Sequence, residues 1–361
     1  MLSKGYQWNM SQKGFSLVEI MVGLVIGLLA TLVIMQVFSV FEGQKRTTMG
    51  TADAQTNGSI ALFTIQRDVQ MAGFGLPVFD TLNPPLKCNP SPTVDHDSNA
   101  ATPVIGMFPL TVTDGGTAAG ASDSLAIRYS LDGSTAKSGI VVKITEDLVG
   151  TVATVDNNLN CNDGDVVMVS VGTACAMTKV NDNNLAADTT HITLLSATGA
   201  SKDASLACMG NWSQFSYAVV NNQLQRNDAS SVTATPMVSD IVNMQVQYGI
   251  SATANSNVVV NWVDASGGTW VTPTVANRNR IKALHIAVVA RNGLLEKTNV
   301  TNECTTAQGT VNNGPCAWDD TGLDAAPKID LSNDANWQQY RYRVYETIIP
   351  LRNMIWSKNT L

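Results

Sequence analysis

The stretch from Gly14 to Phe41, GFSLVEIMVGLVIGLLATLVIMQVFSVF, is apolar along nearly its whole length and carries one ionisable residue, Glu19. As a helix, at about 1.5 Å per residue, Phe15 to Phe41 measures roughly 40 Å, more than the ~30 Å hydrocarbon core of a bilayer. The stretch is long enough to span a membrane. An unpaired carboxylate in such a span costs about 2.5 to 3.5 kcal/mol on insertion scales, so an acid retained there calls for a partner. The helix itself offers none.

Working outward towards the N-terminus, Met1 to Gly14 (MLSKGYQWNMSQKG) holds Lys4 and Lys13 and no acid. A secretory signal has a short apolar core that ends at a small-x-small cleavage site, and neither is present. Here the charged part comes first and the apolar part follows Gly14. In that order, Gly14-Phe15-Ser16-Leu17-Val18-Glu19 resembles the cleavage site of a type IV prepilin. The resemblance implies that prepilin peptidase cuts between Gly14 and Phe15 on the cytoplasmic face and methylates the new amine of Phe15. It also implies that Glu19 pairs with the N-terminal amine of a neighbouring subunit, the partner that the membrane argument asks for. The plainer alternative is a signal anchor whose Glu19 snorkels to the interface.

Beyond the span the helix is expected to continue. Glu42 to Met71 has no Pro, and Ile60, Ala61, Ile65, Val69 and Ala72 recur every three to four residues, giving one apolar face. Glu42-Gly43 and the region from Gly50 to Gly58 read as weak points, and Gly73, Gly75 and Pro77 as the stop. The expected division is a leader at 1–14, a membrane-spanning helix at 15–41, its amphipathic continuation at 42–75 and a β-rich globular domain at 76–361.

The chain has 361 residues, so the domain is large enough for a sizeable core. Losing the leader removes two of 22 basic residues and none of the 29 acidic ones, which takes the formal charge from −7 to −9. That balance disfavours non-specific binding to DNA or anionic lipid. Lys4 and Lys13 hold the leader inside, which places the residues after Phe41 in the periplasm, where disulfides form. The six cysteines, Cys88, Cys161, Cys175, Cys208, Cys304 and Cys316, allow about fifteen pairings. The short separations favour Cys161 with Cys175 and Cys304 with Cys316, leaving Cys88 with Cys208. A zinc site is disfavoured, since no cysteine pair has the ligand spacing and His96 alone lies near a cysteine.

From Pro77 to Ala121 the chain reads as a loop region with a short strand. Strand signals follow at Ser124 to Tyr129, Ile140 to Ile144, Val166 to Val171, Ile192 to Leu195, Phe215 to Val220, Ile241 to Ile250, Lys282 to Ala290 and Tyr342 to Pro350. Asn221-Asn222 leads into Gln223 to Arg226 as a two-residue hairpin turn. Ser251 to Asn257 and Ala265 to Thr269 read as turns, and Thr298 to Asp334 as a polar excursion. The fold class is therefore α+β: a long N-terminal helix, half membrane-spanning and half amphipathic, packed on a large antiparallel β-sheet domain.

GSIALFTIQRDVQMAGFG, RIKALHIAVVARNG and YRVYETIIPLRNMIW are similar to the PilW family of type IV minor pilins at the two ends of the chain. The resemblance implies a low-abundance subunit of the pilus tip that primes polymerisation and supports motility and adhesion. Its partners would be other minor pilins, the tip adhesin, prepilin peptidase and the inner-membrane assembly machinery, with no cofactor. In one departure from the wider pilin pattern, no Pro interrupts Phe15 to Phe41. Gly23 and Gly27 form a small-xxx-small pair instead, which reads either as a close helix contact or as two tolerated glycines.

Enzyme signatures are missing from the sequence. His96, His191 and His285 lie in none of the usual catalytic patterns, and His285 reads as a satisfied sheet residue. Asp95-His96-Asp97 reads as a solvated loop before a metal site. Asp156, Asn158 and Asn160 open like a calcium loop, but Cys161 and Val167 occupy the positions of its Gly and Glu. Two rival readings share much of the pattern: a pseudopilin of the type II secretion system, and a tip receptor that binds a surface, or DNA through Arg278, Arg280 and Lys282.

Overall fold

The computed structural model describes residues 14–76, 93–94, 105–106, 108–131, 141–158, 161–171, 174–182, 188–196, 198–228, 233–318 and 321–356. The chain divides into two compact units, Met1–Thr51 and Ala52–Leu361. Helix α1 spans Leu17–Met71, and Gly43, Gly50 and Gly58 all lie within it. Two glycines in the left-handed region follow it, Gly73 at φ 77° and Gly75 at φ 74°. A Cβ at Gly75 would come within 2.5 Å of the Ser130 carbonyl oxygen. Past the helix the chain bonds to the strand that holds Ser130: the Gly73 N–H donates to the Arg128 carbonyl and the Ser130 N–H to the Phe74 carbonyl, each at 2.9 Å.

In the second unit the apolar face of α1 (Ala54, Ala61, Ile65, Val69) lies in one core with residues of two sheets. One is a four-stranded antiparallel sheet in the order Val259–Asp264, Ile241–Ser251, Ile281–Arg291, Tyr342–Pro350. The other is a ten-stranded sheet threaded by the long strand Ser205–Val220. Alternation explains the facing: Met244, Val246, Tyr248 and Ile250 of one strand, and Leu284, Ile286 and Val288 of its neighbour, all point to the α1 core. Helix and sheet are pinned by polar groups as well. The hydroxyl of Tyr217 donates to Asp68 Oδ2 at 2.5 Å, and Asp68 is buried.

Ser205–Val220 serves two cores. Its first half pairs with Val141–Lys143 and Val166–Val171, and its second half with Ser124–Leu131 and Gln223–Asp228. The register shifts between Cys208 and Gly210, where Gly210 adopts φ 76°, the bulge that lets one strand change partners. The first half closes a separate core of Val142, Ile144, Val155, Val167, Ile192 and Leu206. The β region therefore has two lobes that share a strand.

The far face of the four-stranded sheet is covered by the excursion after Arg291. Ile329, Leu331 and Trp337 pack there on Val289. Cys304 is bonded to Cys316 within that excursion, the pair with the short separation. The expected pairing of Cys161 with Cys175 is not the one formed. Cys161 is bonded to Cys208, which also sets aside Cys88 with Cys208. The reason is tertiary: Cys161 and Cys208 both line the second core, whereas the hairpin of Val166–Val171 and Ala174–Asp182 carries Cys175 to its far end, opposite Ser170. Cys175 is itself disulfide-bonded, and Cys88 lies outside the described residues.

Candidate functional site

The N-terminal end of α1 brings Gly14, Phe15, Ser16 and Glu19 together. Ser16 caps the helix: the Glu19 backbone N–H points to Ser16 Oγ at 3.3 Å and to its carbonyl at 3.0 Å, and the Ile20 N–H donates to the same carbonyl at 3.2 Å. Ser16-Leu17-Val18-Glu19 has the spacing of a capping box, with the acid in the first turn, where the helix dipole favours negative charge by about 0.3 to 1 kcal/mol. The capping role of Ser16 is legible as Ser-x-x-Glu before an apolar run, whereas the sequence reading takes Ser16 only as part of the cleavage motif.

Phe15 is 79% exposed and Leu17 75%, and the large apolar side chains from there to Phe41 are likewise exposed. This surface has no cover within the described chain. The 18-residue apolar window of α1 has a mean hydropathy of 2.7, long and apolar enough to cross a membrane. At Gly14 an added Cβ would meet nothing within 4 Å. Among the described residues, no packing calls for a glycine at this position. Gly23 and Gly27 are equally open.

Other sequence-based candidates fall apart as sites. Lys282 is buried, its Nζ donating to the carbonyls of Ala254 at 2.9 Å and Asn279 at 2.6 Å. Arg280 Nε donates to the Ser251 carbonyl at 2.8 Å, and Arg278 is buried beside the Phe108 ring. The basic cluster thus serves the fold and is not a DNA-facing patch. His285 is a buried sheet residue, as expected, but its Nδ1 makes no hydrogen bond among the described residues, so it is not the satisfied one that the sequence suggests. Its ring stacks on Trp318 at 3.7 Å and lies 5.2 Å from Trp262, with Nδ1 3.5 Å from Asp324 Oδ1; burial lowers its pKa. His191 is exposed and paired with Asp188. Asn158 donates from Nδ2 to the carbonyls of Asp188 and His191 at 2.8 and 3.0 Å, which holds its side chain within the fold. Asp95, His96, Asp97 and Asn160 lie outside the described residues.

Two family models match the chain. Residues 9–35 match the prokaryotic N-terminal methylation motif, which covers Gly14, Phe15 and Glu19. Residues 198–353 match type IV pilus-assembly protein W, from the shared strand to the last strand of the four-stranded sheet. The chain is a type IV pilus-related, pilin-like protein. No curated protein and no solved structure matches it. The two matches bracket the pilin-like chain and leave the lobe built on residues 141–194 uncovered. Kinship with pilus-assembly proteins implies a structural role beside other pilins and the assembly machinery, and its apolar helix and motif fit membrane anchoring.

Proposed function

We propose that this pilin-like chain is a minor pilin that primes type IV pilus assembly and resides with other minor pilins at the pilus tip. It acts as a structural subunit and not as an enzyme. Prepilin peptidase removes residues 1–14 and methylates Phe15. Residues 15–41 then hold the subunit in the inner membrane until it enters the fibre, and the remainder is periplasmic.

The observation that carries this reading is the capped, acid-bearing end of an otherwise uncovered apolar helix. Cleavage after Gly14 creates an ammonium at Phe15, directly ahead of a helix N-terminus that already carries partial positive charge. Glu19 offsets both. In a fibre core it meets the Phe15-type amine of a neighbour, an ion pair strengthened by low dielectric and costly if either member is missing. The match to a pilus-assembly family supports the pilus over the secretion system.

The test is the N-terminal residue of the protein recovered from cells with an active prepilin peptidase. Mass spectrometry should find a methylated Phe15, and recovery with Met1 still attached overturns the proposal. Gly14→Val should leave gel mobility unchanged whether or not the peptidase is present. Glu19→Ala should be cleaved normally and yet lower the number of pili; normal piliation would count against the ion pair.

A further inference from the structure

Tyr342–Pro350 is the outer strand of the four-stranded sheet and pairs with Ile281–Arg291 through all nine of its residues without a register shift. Its outward side makes no backbone hydrogen bond among the described residues. The other sheet edges are blunted. On Val259–Asp264 the pairing shifts register, and the Trp262 N–H is taken by the Leu323 carbonyl at 2.9 Å. Thr235–Ser239 contains Pro236 and a register shift, while Leu110–Thr113 and Val152–Thr154 are short. A long, flat, unpaired edge is a template for another strand.

Its side chains restrict what pairs there. Val344, Glu346 and Ile348 share the face towards the excursion, with Glu346 exposed and Ile348 52% exposed. Arg343, Tyr345, Thr347 and Ile349 share the α1 face, Tyr345 standing against Gly58. Glu346 and Arg343 are in no ion pair among the described residues. Charges on an edge also guard against aggregation. A guard in the middle of a branched apolar strand is at the same time a selector, because it repels an acid and accepts a base. In a two-fold antiparallel pairing of two copies centred on Glu346, that carboxylate would face its own equivalent.

We propose that Tyr342–Pro350 receives an extended segment of a partner protein as an antiparallel fifth strand. The segment carries a base opposite Glu346, branched apolar residues opposite Val344 and Ile348, and an acid opposite Arg343. Main-chain hydrogen bonds supply the affinity and the alternating side chains the choice of partner. The inference stands apart from the pilus reading, since it concerns the purified chain and does not depend on leader cleavage.

The test uses the detergent-solubilised full chain and the peptide Thr-Ile-Thr-Lys-Thr-Val-Asp, with hydrogen exchange read across residues 342–350. The peptide should slow exchange there and nowhere else in the sheet. A peptide with Glu for Lys and Lys for Asp should need about five-fold more for the same protection, as expected when cross-strand attraction becomes repulsion. Glu346→Lys, at an exposed position, should keep the exchange pattern of the peptide-free protein and abolish the preference between the two peptides, because the contact at position 346 then opposes the one at Arg343. Unchanged exchange with either peptide, equal protection by both, or an unaltered preference in Glu346→Lys overturns the proposal.

Discussion

At Gly58 an added Cβ would overlap the ring of Tyr345 and lie 3.1 Å from the Ala290 Cβ. The helix approaches its sheet this closely because the side chain is missing. Sequence reading takes the same glycine for a weak point, since the ring that needs the space comes far later in the chain. Gly58→Val should destabilise the solubilised chain by about 1 to 3 kcal/mol in denaturant unfolding, the usual cost of overpacking; an unchanged midpoint would show that Tyr345 can swing away. Asp123 is a second residue that sequence gives no reason to notice. Its carboxylate accepts the N–H of Gly115 at 2.9 Å and of Val246 at 2.7 Å, pinning the chain before Ser124–Leu131 to the four-stranded sheet. Burial pushes its pKa up to about 7 against those two donors, with Asp114 and Asp264 adding to the rise. The folded chain therefore holds this proton more tightly than the unfolded chain, whose aspartates titrate near about 3.9. The associated stability is fully present below that value and is lost as pH rises through about 7. Asp123→Asn should flatten this fall between acid and neutral pH in denaturation midpoints; parallel pH profiles for the two proteins would refute it.

Elements were legible where pattern and packing agree. Asn221 and Asn222 adopt φ 52° and 59°, the doubly left-handed turn that their side chains tolerate, and the hairpin registers Val220 against Gln223. Strands with clear alternation, such as Ile241–Ser251, lie where the sequence puts them, give or take a residue. Ala174–Asp182 and Val259–Asp264 escaped because small and polar residues interrupt their apolar runs, and neighbouring strands decide their state. The first turn of α1 belongs to this scale as well. Ser16→Ala removes the cap and should cost about 1 kcal/mol of local helix stability. Faster amide exchange at Glu19 and Ile20 in micelles, with the rest of α1 unchanged, is the expected signature. Equal rates would place the ordering of this turn elsewhere.

For the whole molecule, the two ends of the chain announced themselves and the middle did not. The apolar helix and the last strands follow periodic rules, whereas the second lobe depends on Ser205–Val220 turning from one set of partners to another at Gly210. Because both cores contain this strand, they should unfold in one calorimetric transition; two resolved transitions would contradict the sharing. Cys208→Ala removes a cross-link over a separation of 47 residues. On the loop-closure account it should lower stability by about 2 to 5 kcal/mol, with exchange rising first among Val142, Val155 and Ile192.

The partner of Cys161 also sets an order of events in biogenesis. On the proposed periplasmic location, the thiol of Cys161 would reach the oxidising compartment with Cys175 close behind, before Cys208, the residue it finally bonds, has crossed. Oxidation in order of arrival, with Cys88 ahead of Cys161, would form a bridge other than Cys161–Cys208, so on this reading maturation depends on thiol exchange once the shared strand has arrived. Cells lacking a disulfide isomerase should accumulate full-length chain with scrambled bridges, visible as extra bands on non-reducing gels.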